Sequence, residues 1–492
     1  MKKILSILMG ASILFACTQV QTEQTKHASE KIEIVNVVNN GNVNFNDFFE
    51  NKTMRLDYFH NGNSETENFA VDKILSDGDW YGSTKTLIDE LELGLYFYEV
   101  IDQESKTLIY SRGYASIFGE WQWTPEAKEE WGTFHESIRF PWPLNPVTII
   151  LKKRDGQNNF HTIWTRNIDP KSRQVNPANI AHTEKVDIIH KSGAPQEKLD
   201  IVILGDGYST EEMDKFIADA QRLSKVMLEA EPFNTRKNDI NIWAVETPAQ
   251  ESGVSKPHPG VFKRTPLSAH YSSFDSERYV LSYDNKSLRN VASAVPYEFM
   301  VILINEKTYG GGGIYNLYTT VAVDNKFSEY IMIHEMGHHM AGLADEYYSS
   351  STSYEAPSIE IEPWETNITA LLDKDNLKWK DLVEEGTPIP TTWNKKEFDA
   401  HGLEVQKERN ALRAAKVPES QVEALFVREY TTQNEFYAQE EYKDKVGAFE
   451  GAGYNQYGLY RPQLDCIMFT RHNVFCKVCQ RSLNTVIDQY SK

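Results

Sequence analysis

Two kinds of hydrophobic pattern divide the chain. Between residues 31 and 167, short β-branched or aromatic runs alternate with polar turns, as at 32–35, 53–59, 94–100 and 147–151. Asn61-Gly62-Asn63 and Asp155-Gly156 suit tight reversals between strands. This pattern predicts an antiparallel β-sandwich. Trp121, Trp123, Trp131 and Trp142 fall in this half and are assigned to its core, because aromatic rings dominate cores. From residue 199 the pattern changes. Leu199-Asp200-Ile201-Val202-Ile203-Leu204 reads as a buried strand and Gly205-Asp206-Gly207 as a turn. Ser209 or Thr210 then caps a helix with acids in its first turn. Buried runs recur at 240–245 and 299–304, so an α/β domain with a mixed sheet follows the sandwich.

A chain of 492 residues is long enough for more than one core. The expected order is a signal peptide over 1–16, a polar tether over 17–30, the sandwich over 31–167 and a linker over 168–198. An α/β domain over 199–492 completes this α+β multidomain plan, interrupted by a helical insertion at 349–442. Helical stretches at 404–415 and 420–429 and a buried edge at 367–372 mark the insertion, which reads as a solvated support.

Composition changes little in this picture. Hydrophobic residues make up 40% and aromatics 12%, which is enough for packed cores. Acidic side chains outnumber basic ones, 71 to 51, which argues against a nucleic-acid partner. The N-terminus adds an address. Met1-Lys2-Lys3 precedes an apolar run over 4–16 that is too short to span a bilayer, and Leu14-Phe15-Ala16-Cys17 follows the form of a bacterial lipoprotein signal. Cys17 is therefore the expected lipidation site, and the protein is expected at the bacterial cell envelope with membrane contact through that anchor only. Cys466, Cys476 and Cys479 remain. Cys476-Lys477-Val478-Cys479 has no second C-x-x-C to complete a zinc site, so a disulfide from Cys466 to one of the pair is expected, with its pairing open.

The chemistry lies in Tyr330-Ile331-Met332-Ile333-His334-Glu335-Met336-Gly337-His338-His339-Met340-Ala341, a predicted helix. His334 and His338 are four residues apart, so their imidazoles share one face and can converge on Zn2+. Glu335 lies about 100° around the helix, where it can serve as general base towards the zinc-bound water without ligating the ion. His339 points elsewhere and reads as a packed or surface histidine rather than a ligand. Gly342 suits a left-handed helix stop. Asp345, three residues later, is the choice for third ligand, with Glu346 in reserve. Tyr309-Gly310-Gly311-Gly312-Gly313-Ile314 has too little side chain to pack; it reads as a flexible loop or a close approach to ligand. The strand at 319–323 that follows is a candidate for pairing with an extended peptide. Tyr347, Tyr457 and Tyr460 are candidates to stabilise an oxyanion.

The motif resembles the metzincin pattern H-E-x-x-H-x-x-G-x-x-H/D, except that the glycine and acid fall one residue later and Ala341 occupies the usual glycine position. That resemblance makes Met468, in Cys466-Ile467-Met468-Phe469, the methionine of a turn beneath the metal. Residues 199–208, the 334–347 block, Phe449-Glu450-Gly451-Ala452-Gly453-Tyr454 and 458–468 together resemble the bacterial IgA-peptidase family of metallopeptidases. The resemblance implies a metzincin-like α/β zinc peptidase domain behind an N-terminal β-sandwich. It also implies a protein or glycoprotein substrate, with immunoglobulin suggested by the family name alone. The competing reading is a lipid-anchored glycan- or peptide-binding protein with a non-catalytic zinc site.

Overall fold

A computed structural model describes residues 43–348 and 357–491. The signal, Cys17, the tether, the run at 32–35 and the start of the insertion lie outside these residues. Among the described residues, no helix is long and apolar enough to cross a membrane.

The N-terminal half forms two four-stranded sheets packed face to face. In the first, Phe49–Gly62 pairs antiparallel with both Glu67–Ser76 and Gly132–Pro143. In the second, Tyr96–Asp102 lies between Leu108–Tyr114 and Val147–Arg154, and Phe160–Ile168 closes the edge. Alternate side chains from each sheet, including Met54, Leu56 and Tyr58 against Tyr98, Val100 and Ile149, interdigitate into one core. Of the four tryptophans assigned to that core, Trp121 and Trp142 are buried. Trp123 and Trp131 are 52% and 60% exposed, because each sits in the loop region around a short helix rather than on an inward strand position.

The bridging stretch at 168–198 is not structureless. Val175–Asn176 adds to the first sandwich sheet, and Val186–His190 joins a third sheet. That third sheet has six strands. Leu199–Asp206, Ile240–Val245, Phe299–Ile304 and Tyr318–Ala322 run parallel in its interior. All four are buried along their length, which is why the runs at 199–204, 240–245 and 299–304 read as near-continuously apolar. Val186–His190 and Gly311–Ile314 cap the two edges antiparallel. The glycine run is therefore neither a loop nor a free segment but an edge strand. The strand at 319–323 lies inside the sheet between two neighbours, so it has no open edge for a peptide.

The motif helix Ser328–Ala341 and the C-terminal helix Lys477–Ser491 pack on one face of this sheet with Met213–Glu229. The insertion contributes the helix pair Lys395–Ala414 and Glu419–Ala438. Its buried faces, with Phe398, Val422, Leu425 and Phe426, join the main body, so it is more than a solvated support.

Candidate metal centre and active-site cleft

The motif helix is held close to the glycine strand. A Cβ at Gly313 would stand 2.4 Å from the Glu335 carbonyl oxygen, and one at Gly311 would stand 2.5 Å from Ile331 Cγ2. No larger residue fits between strand and helix. The helix ends at Gly342, which adopts φ 56°, ψ 34° and donates its N–H to His338 O. This left-handed stop turns the chain back beneath the helix.

Three side chains then meet at one point. His334 Nε2 and His338 Nε2 are 3.2 Å apart, and Asp345 Oδ1 lies 3.1 Å from the first and 3.2 Å from the second. A tetrahedral zinc with bonds of about 2.0–2.1 Å requires donor atoms about 3.3 Å apart. The three donors meet that spacing. Asp345 Oδ1 is buried and faces the two histidine nitrogens, the position of an oxygen turned towards a shared cation. The outer nitrogens are held in place: His334 Nδ1 contacts Ile467 O at 2.9 Å, and His338 Nδ1 contacts Leu343 O at 2.5 Å. Both imidazoles thus present Nε2 to the centre. Tyr454 donates a hydrogen bond to the other oxygen of Asp345.

Glu335 belongs to the same cluster, its carboxylate lying within 4.8 Å of both histidine donors. Burial raises its carboxyl above the ordinary range, opposed by the two histidines. Burial alone would raise Asp345 too, but His338 and His334 outweigh it and hold this carboxyl well below the usual range. His338 is pushed up to about 9, burial being overcome by Asp345.

Below the centre, Ile467 and Met468 lie in a turn closed by Phe469 N–H to Cys466 O at 2.8 Å. A Cβ at Gly337 would come within 3.0 Å of Met468 Sδ, so the glycine inside the motif admits this turn. Glu346 is not in the centre: its N–H donates to Met468 O at 2.8 Å, and its carboxylate faces Cys466, Cys476 and Cys479. His339 is fully buried against Thr319 and Phe299. The three cysteines are separate thiols, with Cys466 and Cys479 sulfurs 3.8 Å apart, so the expected disulfide is not formed.

The centre opens into a cleft of about 270 Å³. Gly311, Gly312 and Gly313 form one side, and Glu429 and Gln433 of the insertion another. Tyr347 lines it and receives a hydrogen bond from Arg278 at 3.2 Å. Tyr457 is 62% exposed, and neither it nor Tyr460 lines the cleft. Two further lining residues, Arg278 and Glu120, had no signal in the sequence, and Tyr454 appeared there only within the family-like segment 449–454. Glu120 comes from the N-terminal half, receives a hydrogen bond from Tyr279 at 2.5 Å, and is pushed up to about 7 by burial.

A family model described as IgA Peptidase M64 matches residues 187–487. The chain belongs to the IgA peptidase M64 family. A second model, described as the Peptidase M64 N-terminus, matches residues 44–165, the β-sandwich half. The protein is thus a peptidase whose substrates are proteins. A search of curated proteins gives no match to this peptidase.

Proposed function

We propose that the protein is a lipid-anchored zinc endopeptidase that cuts extended segments of protein or glycoprotein at the bacterial cell envelope. The convergence of His334 Nε2, His338 Nε2 and Asp345 Oδ1 at 3.1–3.2 Å, with the Glu335 carboxylate beside them, carries this reading. Three protein donors leave a fourth position open to the cleft, which is the arrangement of a catalytic rather than a structural site. His334, His338 and Asp345 would hold a zinc ion there, and it would supply Lewis acidity towards the scissile carbonyl and a water.

The chain's own groups do the rest. Glu335 accepts a proton from the attacking water and returns it to the leaving amine, a role suited to a carboxyl raised by burial. Tyr347, oriented by Arg278, donates to the oxygen that becomes negative as the carbonyl is attacked. The glycine strand presents backbone rather than side chain to the cleft, so an extended peptide can lie against it. Lipidation of Cys17 tethers the enzyme. Immunoglobulin is one substrate the family description points to.

Purified wild-type and Glu335→Ala proteins, matched for zinc content, distinguish this reading in a broad peptide library. Wild type should cleave and the variant should not, although both retain metal. Equal cleavage by both proteins would overturn the assignment of Glu335. Zinc in both with cleavage by neither would overturn the catalytic reading. Release of a Cys17→Ser variant from the membrane fraction tests the anchor.

A further inference from the structure

Beneath the catalytic centre lies a second cluster that peptide hydrolysis does not use. Cys466 precedes the methionine turn, Cys476 and Cys479 flank the start of the helix Lys477–Ser491, and Glu346 follows Asp345. Their four donor atoms lie within 4.8 Å of one another, and all four residues are buried. We propose that Cys466, Cys476, Cys479 and Glu346 form a structural zinc site of three thiolates and one carboxylate.

The spacing is that of a coordination shell. Zn–S bonds of about 2.3 Å at tetrahedral angles set the sulfurs about 3.8 Å apart, and with a Zn–O bond of about 2.1 Å a sulfur and an oxygen stand about 3.6 Å apart. The Cys466 and Cys479 sulfurs are separated by 3.8 Å, and Cys479 Sγ lies 3.6 Å from Glu346 Oε1. A disulfide explains neither value, and it leaves the carboxylate without a purpose. Glu346 is wholly buried, and its Oε2 has no hydrogen-bond partner. A buried oxygen in that state is costly unless something else satisfies it.

Backbone N–H groups reach two of the three sulfurs. The Cys476 N–H points to Cys466 Sγ at 3.3 Å and the Cys479 N–H to Cys476 Sγ at 3.4 Å. The positive end of the C-terminal helix faces the same sulfurs. Asn367 donates to Glu346 Oε1 at 3.0 Å, and the Arg461 guanidinium offsets some of the negative charge. Four protein donors in a closed, buried shell leave no open position, which marks a structural ion.

Such an ion would tie together the segments that hold the catalytic centre. Glu346 adjoins Asp345, and Cys466 adjoins Ile467, whose carbonyl positions His334. The site does not depend on the peptidase reading, and its test is kept separate. The full chain carrying His334→Ala and His338→Ala empties the first centre but keeps all four donors of the second. Metal analysis of this variant should give one zinc per chain, and replacement by cobalt should give thiolate-to-cobalt charge-transfer absorption in the near ultraviolet. Adding Cys476→Ser and Cys479→Ser should remove both the metal and the absorption. Alkylation mapped by mass spectrometry should find the three thiols protected until a chelator is added. Absence of zinc from the His334→Ala/His338→Ala variant, or cobalt bound without charge transfer, would overturn the proposal. So would a disulfide among these cysteines in the freshly purified chain.

Discussion

Asp345 and Glu346 are neighbours in sequence, yet their carboxylates face opposite clusters. Asp345 Oδ1 lies 3.1 Å from His334 Nε2, whereas Glu346 Oε1 lies 3.6 Å from Cys479 Sγ. Two adjacent acids therefore have different fates, and exchanging their order would strip both clusters at once. The same pair shows why the outer partners of each carboxylate matter as much as its identity.

Tyr454 supplies such a partner to Asp345, through its hydroxyl on the oxygen that does not face the histidines. Tyr454→Phe keeps the ring and removes that bond. Zinc affinity at the catalytic centre, measured by competition with a chromophoric chelator, should fall by about 10- to 100-fold. Asp345→Ala should lose more. An unchanged affinity in Tyr454→Phe would show that the hydroxyl does not orient the ligand.

Tyr347 receives a hydrogen bond from Arg278, and its hydroxyl also interacts with the ligand Asp345. If it donates only as the carbonyl oxygen becomes negative, its loss is felt in the transition state and not in substrate binding. Tyr347→Phe should lower kcat by about 100-fold with KM nearly constant. A rise in KM with unchanged kcat would instead make this tyrosine a substrate contact.

How much of this was legible in the sequence follows from distance along the chain. His334, Glu335 and His338 share one helical turn, so their geometry follows from spacing alone. Asp345 is separated from them by a single left-handed residue, and it was legible as one of two adjacent acids. Their choice depended on which way each side chain turns, and spacing does not contain that. Glu120 and Arg278 reach the cleft from remote segments, and nothing local distinguishes them from ordinary polar residues; Tyr454 stood out only as part of a family-like segment, with no role attached. The cysteine cluster was visible as Cys466, Cys476 and Cys479, grouped as a disulfide, but its fourth donor lies more than a hundred residues away. The glycine run was misread because strands are recognised by alternating side chains, which glycines lack.

That run makes a packing prediction. At Gly313 a methyl group would stand 2.4 Å from the Glu335 carbonyl and 3.0 Å from His338 Cβ, so strand and catalytic helix must part. Gly313→Ala should cost about 1–3 kcal/mol in stability and lower activity further by displacing Glu335 and His338. Gly156 has open space around its Cβ position and serves as control: Gly156→Ala should change neither. Full activity in Gly313→Ala would mean that the strand does not set the helix position.

His339 makes a prediction about acid. It is fully buried beside Thr319, and burial, reinforced by Arg289, lowers its imidazole to about 3. In the unfolded chain the same ring titrates near 6.5. Between these values the unfolded state binds a proton that the folded state refuses, so falling pH favours unfolding. The contribution of His339 is complete above about pH 6.5 and is lost progressively below it, by about 1.4 kcal/mol per pH unit. His339→Asn keeps a partner for Thr319 and removes the titration. Urea unfolding of both proteins at pH 7 and pH 5 should show the stability of wild type relative to the variant falling by about 2 kcal/mol at the lower pH. The other histidines are common to both chains and cancel in that difference. Parallel pH profiles would mean that the ring is protonated in the folded protein, with Arg289 and Phe299 repacked around a charge.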